Sequence, residues 1–273
     1  MASTSGRTGA AAAPITLLFG PPRSGTTFLQ KRLCQHCNGI GIYEPTGVSA
    51  YQGINAGCNP YDRIFSGEHP HIRRHPDAPV IVKEVQDGVM QAYLARQGHD
   101  LISWVNLYRL RQSRILWIFR DPAEVWRSIV AQGWHRTHHP LETYLSFYCD
   151  AVSCYETMRS LAPQATAVLS HERLIRAGKT GLHRIAAFAG LRESAGWSDQ
   201  EDSKALYYQR VHYDPSVREL MEALDAHSSL HRGLSAAKSK PALDAATRQA
   251  IQARLQPLYA RIRSQDLLAT LQP

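Results

Sequence analysis

Residues 17–30 read Leu-Leu-Phe-Gly-Pro-Pro-Arg-Ser-Gly-Thr-Thr-Phe-Leu-Gln, an apolar run that breaks at Gly20-Pro21-Pro22 and resumes with helical spacing. A short apolar run ended by Gly and Pro reads as a buried strand, and the spacing after Thr26 as an amphipathic helix. The turn between them, Gly20 to Thr27, follows G-x-x-x-x-G-K-[ST] except that Thr26 stands where the lysine belongs. A glycine turn between strand and helix exposes successive backbone N–H groups at the positive end of the helix dipole, which suits an anion. In kinases and ATPases the absent lysine reaches the β- and γ-phosphates. The turn therefore reads as a loop for a phosphorylated ligand of another kind, and no second acidic strand end is placed to hold Mg²⁺.

The same alternation continues outward. Strands are expected over 15–19, 40–43, 80–82, 115–119 and 167–169, each short and apolar. Helices are expected over 26–36, 90–111 with an interruption near Gly98, 122–131 opening on Pro122, 141–161, 180–189 closed by Gly190, 217–226, and a long one over 243–271. Short apolar strands alternating with helices predict an α/β fold, a parallel sheet with helices on both faces. In such sheets ligands bind beyond the carboxyl ends of the strands. Arg23, Glu44, Lys83 and Arg120 each follow a strand, so they are expected to converge on one edge. Residues 45–78 are rich in Gly, Pro, Asn and His with little periodicity, and read as a lid or substrate-binding segment. Residues 1–14 read as a disordered leader, and 15–273 as a single domain.

Of 273 residues, 44% are hydrophobic and 20% charged, ordinary globular proportions that allow a sizeable core. Lys and Arg number 31 against 23 Asp and Glu, a net charge of +8 that suits a polyanionic ligand. No run of five or six successive Lys/Arg and no aromatic-basic interleaving supports nucleic acid as the partner. No apolar run approaches bilayer length, so no membrane partner is expected. The small, polar start is a poor secretory signal, and five cysteines without framework spacing read as reduced thiols. A cytoplasmic location follows from these as an expectation. Cys34-Gln35-His36-Cys37 resembles half a zinc site, but no second ligand pair has matching spacing and the stretch closes a helix, where Cys is usually core. No metal is expected.

Two further stretches bring a resemblance. Pro22-Arg23-Ser24-Gly25-Thr26-Thr27 resembles the 5′-phosphosulfate loop of sulfotransferases that use 3′-phosphoadenosine 5′-phosphosulfate (PAPS). Trp117-Ile118-Phe119-Arg120-Asp121-Pro122, with Ser128 beyond, resembles their 3′-phosphate motif, so the resemblance implies that Arg120 and Ser128 hold that phosphate. A guanidinium fork and a hydroxyl are suited to it. Ser170-His171-Glu172-Arg173-Leu174 resembles the family's Tyr-Glu-Asp-Leu segment near the adenine, with His171 in place of the tyrosine. Arg232-Gly233 is a trace of its C-terminal Arg-Lys-Gly element, without the lysine. The resemblance implies a P-loop type of sulfotransferase fold, PAPS as donor and no metal, because a sulfuryl group carries less charge than a γ-phosphoryl and fixed N–H groups with Arg or Lys suffice.

An attacking hydroxyl needs a base within hydrogen-bond reach. In the cytosolic branch this is a histidine two residues after a strand-end lysine; here that stretch is Lys83-Glu84-Val85, and the histidine is absent. The spacing resembles instead the protein-tyrosine branch, which implies Glu44 as base, with Arg23 and Lys83 polarising the sulfuryl group. Glu84, Asp87 and the histidines of 135–139 remain rival bases. The function expected is transfer of the sulfuryl group to a hydroxyl of a small-molecule acceptor. The Ala- and Arg-heavy usage fits a GC-rich bacterial chain and tailoring of a secondary metabolite. A small-molecule kinase using ATP, and a sulfotransferase-like protein put to non-sulfating chemistry, stay open as alternatives.

Overall fold

The computed structural model describes residues 14–47, 59–194, 211–212 and 241–270. Six strands form one sheet in the order β5-β4-β1-β3-β2-β6. They are β1 Ile15–Gly20, β2 Ile40–Tyr43, β3 Val80–Val85, β4 Arg114–Phe119, β5 Thr166–Ser170 and the short β6 Val211–His212. Every pairing is parallel. The α/β fold with a parallel sheet covered by helices on both faces is therefore the one the sequence predicts.

The pleat divides each strand between two cores, because successive side chains point to opposite faces. Leu18, Ile81, Leu116, Ile118 and Leu169 pack under α1 (Thr26–Cys37) and α9 (His171–Phe188). Leu17, Phe19, Ile42, Val80, Val82, Trp117 and Phe119 enter the larger core on the other face. That face is covered by α2 (Pro60–Phe65), α3 (Pro70–Arg74), α4 (Gly88–Arg96), α5 (Leu101–Val105), α6 (Leu107–Gln112), α7 (Pro122–Ala131), α8 (Leu141–Leu161), α10 (Ala245–Arg254) and α11 (Gln256–Ser264).

Local chemistry explains where the elements depart from expectation. The helix expected over 90–111 is three helices: Gly98 turns the chain at φ 76°, Asp100 caps α5 and Asn106, at φ 81°, caps α6. The helix expected over 243–271 divides at Leu255, because Pro257 has no N–H to donate and starts α11 instead. β3 continues past Val82 through Lys83 and Glu84, polar residues that hid it. Helix α9 begins at His171, nine residues before the expected start, with a kink at Gly178 (φ 50°). Within 45–78, the described part carries the short helices α2 and α3, both opened by proline. The helix expected over 217–226 and the leader lie outside the described residues.

After α11 the chain returns to the sheet. Asp266 is buried and accepts hydrogen bonds from Ser170 N (2.8 Å), Ser170 Oγ (2.6 Å) and Leu268 N (2.8 Å). Asp266→Ala leaves those donors buried without an acceptor, at a cost of about 3 kcal/mol. Urea unfolding should show a lower midpoint at unchanged m-value, the sign of lost stability rather than a changed unfolded state.

Candidate functional site

The chain leaves β1 at the centre of the sheet, with β4 on one side and β3 on the other. The crevice beyond their carboxyl ends is where a ligand fits a doubly wound sheet. The 20–27 turn fills its floor. Gly25 caps α1 at φ 100°, a conformation glycine adopts freely. A β-carbon at Gly25 would also lie 2.5 Å from His171 Cδ2, so the His171 ring closes over the turn. Ser24 is buried, its hydroxyl donating to Pro21 O within the turn. Thr26 and Thr27 open α1, Thr26 buried and Thr27 half-buried.

Arg23 and Arg120 face each other across this crevice. Arg23 Nε donates to Ser128 Oγ on α7 at 2.9 Å, and Arg120 Nη1 approaches Arg23 O at 3.5 Å. Burial lowers the pKa of Arg23, with Tyr43 opposing and Arg120 reinforcing the shift. The Arg23 guanidinium also lies over the Trp134 ring, 5.4 Å from its centroid. Arg120 Nη2 lies 3.7 Å from Glu124 Oε2, while its buried Nε has no hydrogen-bond partner among the described residues. Asp121, between β4 and α7, caps the helix by accepting from Ala123 N and Glu124 N.

Lys83 and Glu44 form the second half. Lys83 is 1% exposed, and its ammonium donates to Glu44 Oε1 and sits 3.8 Å from the centre of the Tyr43 ring. Tyr43 and Lys83 are register partners of β2 and β3, so both point to the same face. Burial lowers the Lys83 pKa; Glu44 and Glu84 oppose that, and Arg23 adds to it. β1 lies between β3 and β4, and β2 pairs with β3, so the segments carrying Arg23, Glu44, Lys83 and Arg120 leave the same edge of the sheet as neighbours, as expected from the strand ends. Among the described residues four non-glycine residues have positive φ: Asn38 and Asn106, of a type that tolerates it, and Arg23 (66°) and Glu44 (41°), of types that rarely adopt it. Strain of this kind gathers where function fixes a side chain.

The rival bases are placed differently. Glu84 follows Lys83 and so points to the opposite face, where it is buried and accepts from Thr46 N (2.6 Å), Gly47 N (3.3 Å) and Tyr61 Oη (3.3 Å). It anchors the turn that carries Glu44, and Trp104 Nε1 supports that turn through Thr46 Oγ1 at 3.1 Å. Asp87 caps α4 through Met90 N at 2.8 Å and lies 3.9 Å from Nε2 of the buried His139. His135 lies in the 3₁₀ turn Trp134–Arg136, with His138 just beyond it. Arg232 and Gly233 lie outside the described residues. The roles of Tyr43, Trp134 and Glu124 escape sequence reading, since each depends on register or on a distant turn; only the strand-end position of Tyr43 hints at one.

No protein-family model matches the chain, and no curated protein matches it in sequence. Among solved structures it is similar to the sulfotransferase domain of the Synechococcus olefin synthase, at 14% identity and TM-score 0.48, over 90% of this chain and 96% of that one. It is similar to a sulfotransferase from Alicyclobacillus acidocaldarius at 16% identity and TM-score 0.44, over 81% of this chain and 94% of that one. A mouse sulfotransferase complexed with PAP matches at 13% identity and TM-score 0.44, over 96% of this chain and 90% of that one.

Burial raises the Glu84 carboxyl from 4.5 to about 7, against the lowering effect of the Thr46 and Gly47 amides. An acid with a raised folded-state pKa stabilises fully below its unfolded value and loses that contribution as pH rises through the folded one. Unfolding free energy should therefore carry a falling component between pH 4.5 and about 7. Glu84→Gln should flatten that part of the stability–pH curve, and denaturant titrations at several pH values check it.

Proposed function

We propose that this chain moves a sulfuryl group from PAPS to the hydroxyl of a small-molecule acceptor. The observation that carries this reading is the 2.9 Å bond from Arg23 to Ser128, which joins the turn after β1 to the helix after β4. Those are the two stretches whose sequences resemble the 5′-phosphosulfate and 3′-phosphate motifs. The residues suit such a ligand. Gly25 lets the His171 ring close onto the turn, and the buried Arg120 Nε has no hydrogen-bond partner among the described residues.

In this reading Arg120 and Ser128 hold the 3′-phosphate, and the N–H groups of Ser24, Gly25, Thr26 and Thr27 hold the 5′ end at the start of α1. His171 borders the adenine, and Arg232 and Gly233 are assigned to the nucleotide on the motif resemblance alone. The donor supplies the sulfuryl group. Glu44 takes the proton from the attacking hydroxyl. Lys83 and Arg23 stabilise negative charge that grows on the sulfuryl and bridging oxygens, in a crevice where burial strengthens such interactions. Because Lys83 already rests on Glu44, proton acceptance there frees the ammonium to turn toward the leaving oxygen. Residues 45–78 border the acceptor, which we take to be a bacterial metabolite rather than a macromolecule, and the location to be cytoplasmic.

A cell extract incubated with the protein and PAPS should yield, by mass spectrometry, a metabolite with an added sulfuryl group. 3′-Phosphoadenosine 5′-phosphate should raise the melting temperature by mass action far more than ATP does. Arg120→Ala should erase most of that difference, since charged hydrogen bonds of this kind are worth about 2–5 kcal/mol. Equal shifts with both nucleotides would favour the kinase reading, and binding with no sulfated product would favour non-sulfating chemistry.

Glu44→Gln keeps shape but cannot take the proton, so turnover should fall about 10²–10⁴-fold. The melting shift given by the nucleotide should survive in that variant. Steady-state kinetics beside a thermal melt separate the two effects, and near-normal turnover would remove Glu44 from the base position.

A further inference from the structure

At the far end of α1, away from the crevice, three ligand-bearing side chains from separate parts of the chain meet. His36 sits in the last turn of α1, His183 on α9, and Glu193 on the segment that follows. One imidazole nitrogen from each histidine and one Glu193 oxygen all lie within 4.8 Å of one another. We propose that His36, His183 and Glu193 form a binding site for a divalent transition-metal ion, Zn²⁺ being the best fit to two imidazoles and a carboxylate.

Tetrahedral Zn²⁺ with bonds of about 2.0–2.2 Å holds its ligand atoms about 3.3 Å apart. His183 Nε2 and Glu193 Oε2 are 3.7 Å apart, close to that spacing without any ion. The adjustment needed falls mainly on the more exposed side chains: His36 is 3% exposed, whereas His183 and Glu193 are 43% and 48% exposed. The backbone beneath is tied, because Ser194 N donates to His36 O at 2.8 Å and so holds the Glu193 segment against α1. Imidazole and carboxylate together suit Zn²⁺, and also Co²⁺, rather than Mg²⁺ or Ca²⁺. With three protein ligands, water fills the fourth position.

His36 and Thr26 are ten residues apart on α1, which at 1.5 Å per residue is about 15 Å. The ion is thus a clasp between α1 and α9, not part of the chemistry at the nucleotide crevice. The proposal departs from the expectation of no metal, since His183 and Glu193 form no local spacing with His36 that a sequence could reveal.

The test uses the full chain stripped of metal. We expect Zn²⁺ to raise the melting temperature, and Co²⁺ at one equivalent to give the visible d–d bands of a low-symmetry N/O site. His183→Ala and Glu193→Gln, both at partly exposed positions, should each abolish the bands and the shift while leaving the metal-free melting temperature unchanged. His99→Ala, a histidine elsewhere, should change neither. The proposal is independent of the sulfuryl-transfer reading, and turnover should persist after stripping. Absence of bands and shift in the native chain would show an ordinary ion pair. Their survival in both variants would place the metal on other histidines. Either result overturns the site.

Discussion

Covering both faces of an all-parallel sheet leaves one place for polar side chains to meet, the edge where the strands end. The chain observes this closely. Most strand residues before that edge are apolar and enter one of two cores, and Arg23, Glu44 and Arg120 follow the strands. Lys83 is the deepest exception. It is buried inside β3, and an ammonium removed from water is costly unless a counter-charge and a polar cradle receive it. Glu44 supplies the charge and the Tyr43 ring the cradle, and both come from the end of β2. The register of two neighbouring strands thus decides the electrostatics of the crevice.

The same pleat separates two neighbouring residues into different occupations. Lys83 turns to the α1 side and Glu84 to the other, so one enters the crevice and the other becomes a fastening for the 44–47 turn. A carboxylate one residue along the chain from Lys83 is thereby turned to the other face of the sheet. The turn it holds carries Glu44 in a left-handed conformation, so the position of one acid rests on the burial of another.

Much of this was legible in the residues. Apolar runs of strand length ending at glycine or a charge located β1 to β5, and Gly25, Arg120 and Pro122 marked the turns that frame the crevice. Legibility failed where identity does not encode partner. Lys83 and Glu84 masked the end of β3 because polar residues break an apolar pattern even when buried. β6, two residues long, has no pattern at all. The pairing of Arg23 with Ser128 joins positions 105 apart in the chain, and that of Lys83 with Glu44 joins positions 39 apart. Such contacts exist only once the sheet is assembled; the spacing suggested neighbours, and the fold supplied which atoms touch.

The carboxylate of Asp266 at the end of β5 has a bearing on how the molecule is made. It and Ser170 are 96 residues apart, so β5 is translated long before the group that satisfies its last amide. At roughly 5–20 residues per second this is an interval of about 5–20 seconds on the ribosome. Throughout it the amide and hydroxyl of Ser170 lack the acceptor that fastens them. The nascent chain therefore carries the β5 sequence for that interval before the carboxylate that fastens its last amide has been made.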